Sequence, residues 1–202
     1  MSLYIKQHSV SALLFLSGLL VFAVFLSACS TSGTGNDLDK IRSQEALIDS
    51  LEKAWSKSGN PDRELTTNLR EEKANLASMY ESYAAAHSDE NSPEFLFNAA
   101  TLYQHGISDL NKALALCDQI IKDYPESERA ADALFNKGFI YHNQIRDTHA
   151  AKMIYSEFLE RYPTHNFADG AQFELNNLGV PADEVFKLIE KGQEANPDSF
   201  AN

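Results

Sequence analysis

The chain has 202 residues, with 17 Lys and Arg against 29 Asp and Glu and a formal net charge of −12, which excludes a nucleic-acid binder working through clustered cations and any charge-driven attraction to anionic lipid. At 44% hydrophobic and 23% charged the composition is globular, long enough for one or two domains, and nine Gly and six Pro are too few for a fibrous or low-complexity body. Two cysteines, Cys29 and Cys117, cannot supply a disulfide framework.

Residues 7–36 contain no Asp, Glu, Lys or Arg, and their centre, 10–26, is almost wholly apolar. Lys6 in front of it completes the order of charge, apolar run and small residues that marks a secretory signal peptide, here 1–28. The run also approaches the roughly 20 residues a membrane-spanning helix needs, so an uncleaved anchor is the competing reading. What separates the two is the sequence Leu26-Ser27-Ala28-Cys29. It resembles the lipobox of bacterial lipoproteins, and the resemblance implies cleavage before Cys29, a diacylglycerol on its thiol and a further acyl chain, such as palmitate, on its amino group. Two or more chains anchor a protein stably where one does not. Residues 29–36, rich in Ser, Thr and Gly, are then the lipidated cysteine and a flexible tether. Ser30 is not the Asp that, in this family, retains a protein in the inner membrane, so the resemblance implies lipid attachment to the outer membrane, facing the periplasm. Residues 1–28 hold one of the 17 basic side chains and none of the 29 acidic ones, so cleavage leaves a balance of −13 and a surface suited to neutral or basic partners.

The segment 37–57 predicts an amphipathic helix with Leu38, Ile41, Ile48, Leu51 and Trp55 on one side, closed by Asn60-Pro61-Asp62. Ile41, Ile48 and Trp55 keep a seven-residue spacing through which two copies could self-associate, although Glu45 and Glu52 interrupt the companion positions. The alternative is that this helix docks on the first repeat. A second helical run follows at 64–86, with Leu65, Leu69, Leu76, Met79, Tyr80 and Tyr83 apolar, the second helix of a degenerate repeat.

From there the chain repeats with an offset of 38: Leu96-Phe97-Asn98 becomes Leu134-Phe135-Asn136, Tyr103 becomes Tyr141, Ala113 becomes Ala151, Tyr124-Pro125 becomes Tyr162-Pro163 and Phe135 becomes Phe173. Within the second copy Leu134, Gly138 and Tyr141, and again Ala151, Tyr155 and Phe158, stand at i, i+4 and i+7, so each copy is a helix-turn-helix hairpin ended by its proline. Ser92-Pro93-Glu94 opens the first hairpin with a capping Ser, a first-turn Pro and an acid at the positive dipole end. Residues 168–178 read as the first helix of a third copy, and 182–191 as a capping helix after Val180-Pro181; a polar tail occupies 193–202. Cys117 lies on an apolar helix face and reads as a small buried hydrophobe rather than a reactive thiol.

The pattern resembles the tetratricopeptide repeat. Leu96, Ala100, Tyr103, Ala113, Cys117, Ile120 and Pro125 fit the motif in the first copy, as do Leu134, Gly138, Tyr141, Ala151, Tyr155, Phe158 and Pro163 in the second; both copies exceed the usual length of about 34 residues. The resemblance implies an all-α, right-handed superhelical stack of such hairpins over 64–192, with the first helices lining a concave groove. Carried over by position, that groove holds Phe97, Thr101, Gln104, Asp132, Phe135, Phe139, His142, Phe173 and Asn177. The recurring Phe97, Phe135 and Phe173 form either an aromatic column that anchors a partner or packing between hairpins.

No metal-binding, phosphate-binding or nucleophile motif is present, so no enzyme activity and no cofactor or metal are expected. His142 and His149, with Asp147 between them, lack the further ligands a metal would need. The resemblance implies a non-enzymatic scaffold that binds envelope proteins as a peptide or helix in the groove, similar to the periplasmic repeat proteins that work with the Tol-Pal system or with β-barrel insertion. The rival function is an accessory protein carrying a ligand or substrate for a cell-wall enzyme, in which acidic groove residues such as Asp132 would do the binding.

Overall fold

The computed structural model describes residues 32–59, 62–181, 183–185 and 187. The signal peptide, Cys29, the first part of the tether and the tail lie outside the described residues, as does most of the expected capping helix, of which 183–185 are helical. Every regular element among the described residues is helical, an all-α stack as expected: α1 Ser32–Lys57, α2 Arg63–Ala86, α3 Ser92–Thr101, α4 Leu110–Asp123, α5 Glu128–Phe139, α6 Thr148–Arg161 and α7 Ala168–Asn176. By compactness the chain divides into two units, the first ending at Glu72 and the second beginning at Lys73. None of the described helices is long and apolar enough to cross a membrane.

In the first unit α1 begins at Ser32 rather than at 37, so residues 32–36, assigned to the tether, are helical. Once a helix is nucleated by a longer amphipathic segment, each added residue gains a hydrogen bond, which offsets the roughly 1 kcal/mol cost of a Gly. Ile41 and Ile48 are buried, and only Trp55 of the seven-residue seam is exposed. Two of the three positions available for self-association are thus already covered. Gln44 Nε2 donates to the backbone oxygen of Glu72 at 3.2 Å and to its carboxylate at 2.7 Å. Asp62 starts α2 by accepting the Leu65 N–H at 2.7 Å.

The second unit is a stack of hairpins in which each helix from α3 to α7 packs on the next and α3 also reaches α5. The first helix of each hairpin ends in a π-helical turn, Leu102–Ile107 after α3 and Ile140–Ile145 after α5. Each π turn is closed by a left-handed residue, Ser108 and Arg146, both at φ 63°. The next residue, Asp109 or Asp147, donates its N–H at 2.8 Å to the oxygen of Tyr103 or Tyr141. Its carboxylate then caps the second helix, Asp109 accepting from Lys112 N at 3.1 Å and Asp147 from Ala150 N at 2.9 Å. Losing a cap of this kind costs about 1 kcal/mol. Asp147→Ala is expected to lower the urea midpoint accordingly with an unchanged m-value; an unaltered midpoint would show that the cap contributes nothing.

Between hairpins the same turn is built three times. The side chains of Asp89, Ser127 and His165, each 38 residues apart, accept the N–H two residues on at 3.0, 3.2 and 3.2 Å. Tyr124 and Tyr162 end α4 and α6 at φ −131° and −132°, the non-helical backbone imposed on a residue before proline. The Ser92 hydroxyl, expected as a cap, instead donates to the His87 oxygen and is fully buried, while the cap position, Asn91, makes no side-chain cap bond. Asp89 accepts the Asn91 N–H at 3.0 Å and lies 3.2 Å from the Ser92 hydroxyl, so the turn before the helix is held by Asp89. Burial pushes the Asp89 carboxyl up, but the Tyr83 hydroxyl at 2.7 Å together with Asn91 and Ser92 outweighs it and holds the group below its ordinary range.

The core follows the repeat. Leu96, Ala100, Ala113, Cys117 and Ile120 are buried in the first hairpin and Leu134, Ala151, Tyr155 and Phe158 in the second, while Tyr80 and Tyr83 of α2 pack their rings on Phe95 at 5.0 and 4.8 Å. Burial pushes the Cys117 thiol up to about 12, so at neutral pH it is protonated and inert. Three motif positions change between the hairpins, Ile120 becoming Phe158 and the other two changing in a complementary way. Ala100 and Cys117 of the first become Gly138 and Tyr155 in the second, and a Cβ on Gly138 would stand 2.6 Å from Tyr155 Cε1.

Candidate partner-binding groove

The π turn after α5 carries His142 toward α7, where its Nδ1 lies 2.8 Å from Glu174 Oε2. Each of the two side chains is about four-fifths buried, at 18% and 24% exposure, so the contact ties the first helices of the second and third hairpins together. Around it is a groove of about 580 Å³. One wall is His142 and Asn143 with the hairpin tip Arg146 and Thr148; the other is Phe173, Glu174 and Asn177; Gly179, Val180, Pro181 and Val185 close the end. Phe173 is 44% exposed. Arg146 is exposed, and among the described residues its guanidinium has no acidic partner. The groove can therefore offer an apolar floor, two amides and a cation to a segment of another chain, an arrangement suited to binding.

Of the nine residues expected to line the groove, the structure brings three together, His142, Phe173 and Asn177. The others are placed differently. Thr101 spends its hydroxyl on the Phe97 oxygen at 3.0 Å. Gln104 is 3% exposed and donates to Gln144 Oε1 at 3.2 Å, a bridge between the first two hairpins. Phe139 is half-buried at the end of α5. Asp132 is not a free acid: it is 7% exposed, paired with Arg129 Nη1 at 2.6 Å and 3.7 Å from His165 Nε2. Arg129 in turn binds Glu94, so the ion pairs Glu94–Arg129–Asp132 join the first two hairpins, with the His165 ring of the next turn beside them. Neutralising Asp132 would disturb these pairs, which removes it as the binding residue of a ligand carrier.

The three phenylalanines do not make a column, because the residue over each ring changes. Phe97 is covered by the Arg129 guanidinium, 5.1 Å from its centroid. In the next hairpin the residue 38 positions on from Arg129 is Phe167, which covers Phe135 at 4.8 Å. Phe135 also meets Tyr155 and Phe158 of its own hairpin, each at 5.7 Å, and lies 3.7 Å from the Cβ position of Gly170 in α7, so it packs within its hairpin and against the next. Only Phe173 faces the groove. The rest of the lining, above all Arg146 and residues 179–181 and 185, was outside the sequence expectation, which took positions from first helices alone. A usable signal existed in the polar stretch 143–148, which separates two helical runs and so has to form an exposed hairpin tip.

Residues 94–127 and 132–165 match the sequence profile described as tetratricopeptide repeat. No curated protein and no solved structure matches the chain. The two matched segments fall on the two hairpins that carry the motif, so these hairpins are similar to tetratricopeptide repeats. Such repeats are typically interaction modules rather than catalytic ones, and generally bind peptides or proteins.

Proposed function

We propose that this chain is a bacterial cell-envelope lipoprotein whose repeats serve as a non-enzymatic adaptor, holding another envelope protein in the groove between the second and third hairpins, in outer-membrane or envelope biogenesis. The observation that carries the binding part is the groove, where an exposed aromatic ring, two amides and a guanidinium with no acidic partner among the described residues converge beside the tandem repeats. The envelope part rests on Leu26-Ser27-Ala28-Cys29 and the apolar run before it. In this reading lipid on Cys29 holds the acidic domain at the outer membrane, facing the periplasm, near machinery of the Tol-Pal or β-barrel-insertion kind.

Cross-linking in intact cells from a photoreactive residue at position 173 tests the adaptor role, and fractionation of Cys29→Ser tests the address. The expected results are a discrete adduct with an envelope protein, and release of the variant from the membrane fraction. Absence of any adduct would sink the adaptor role, and unchanged fractionation would favour an uncleaved anchor.

A further inference from the structure

We infer that the groove is selective for an extended segment carrying a single carboxylate beside bulky apolar side chains, on a partner that is otherwise neutral or basic; this rests on the groove reading above. Three observations converge on it. Arg146 stands at the groove wall with no acidic partner among the described residues, whereas the cations at Arg129, Lys137 and Lys112 are each held by a carboxylate. It occupies a left-handed position at φ 63°, which an arginine adopts only at a cost and where Asn or Gly would sit without strain. Ser108 holds the same position at the first tip, so the turn dictates the backbone conformation and the guanidinium is what the second tip adds. Beside it Phe173, Val180 and Val185 give an apolar surface.

Among the described residues, Glu174 is the only carboxylate on the groove wall, and its Oε2 is engaged by His142. The guanidinium is thus left for an incoming acid, which it can bind through two parallel hydrogen bonds. The surrounding chain, with a balance of −13 after residue 28, repels a segment with several acids. One carboxylate placed at the guanidinium escapes that repulsion, and the apolar neighbours of that carboxylate fill the floor. Attraction at one point and repulsion everywhere else is what gives selectivity.

Selecting a phage-displayed random dodecapeptide library on the full mature chain in detergent tests this. Enriched peptides are expected to carry one Asp or Glu next to Phe, Leu, Ile or Val. Their affinity should fall at least tenfold with Arg146→Glu and with Arg146→Asn, and also with Phe173→Ala. Arg146→Asn relieves the left-handed strain, so its Tm should be unchanged or higher while binding is lost, a combination that mere misfolding does not produce. Peptides lacking a carboxylate, or keeping full affinity for Arg146→Glu, overturn the inference; if they still lose affinity for Phe173→Ala, the groove itself stands. Indifference to Phe173→Ala, or no enrichment at all, overturns the groove as well.

Discussion

Gly138→Ala is expected to destabilise the protein, although alanine is the better helix former by about 1 kcal/mol. The added methyl would stand 2.6 Å from Cε1 and 2.8 Å from Cδ1 of Tyr155, a ring with no exposed surface. A fully enclosed ring cannot swing aside, so the helices must part. Overpacking of this kind costs about 1 to 3 kcal/mol. Tyr155→Cys alone leaves a void and should cost about 3 to 5 kcal/mol, the range for truncating a large buried aromatic. The double variant restores the Ala and Cys combination of the first hairpin, Ala100 and Cys117. It should be more stable than the sum of the single effects by at least about 1 kcal/mol, a coupling that a double-mutant cycle measures by urea unfolding. A rise in Tm for Gly138→Ala would show that the close approach is not a constraint. The Tyr155 hydroxyl is buried without a partner, and burial together with Glu174 pushes its pKa up, so the ring serves as bulk and not as an acid.

Phe135→Ala and Phe173→Ala, one repeat apart, should behave as different kinds of variant. Phe135 lies against Tyr155, Phe158 and Phe167, and its loss should cost about 2 to 4 kcal/mol, below the full figure for a buried Phe because the ring is only half-buried. Phe173 is 44% exposed, and its truncation should change stability by no more than about 0.5 kcal/mol while weakening partner capture. Circular dichroism at 222 nm during thermal unfolding, run beside the cross-linking assay, separates the two. Equal destabilisation by both substitutions would mean that Phe173 is packed and the groove closed.

The contrast between those rings shows where the sequence was readable. The offset of 38 residues placed both hairpins and the start of the third, because the same small and large side chains must meet wherever identical helices stack. Its reach extended to the turns: Asp109 and Asp147 cap the same way, and Asp89, Ser127 and His165 close the same turn with three different side chains. What the offset could not give is the identity of a neighbour from another helix. Phe97 and Phe135 hold one register position, yet Arg129 covers the first and Phe167 the second, a difference set by the following hairpin. Asp132 looked like a free groove acid for the same reason, since Arg129 and His165 come to it from its own helix start and from the next turn. The groove was the least legible part. It is formed largely by the tip at 143–148 and by residues 179–181 and 185, where the repeat pattern breaks off, and a search for period is blind to what lies outside the period.

The matched pairs Ala100 with Cys117 and Gly138 with Tyr155 also bear on how such a chain can have grown. Each pair joins the two helices of one hairpin. Copying or deleting a segment whose ends fall in the turns at 89, 127 or 165 carries a pair over whole. A deletion running between the hairpin tips, near 108 and 146, would instead join the Ala of the first hairpin to the Tyr of the second, the overpacked combination that costs about 1 to 3 kcal/mol. The turns between hairpins are thus the less costly seams along which the gene for this protein can shorten.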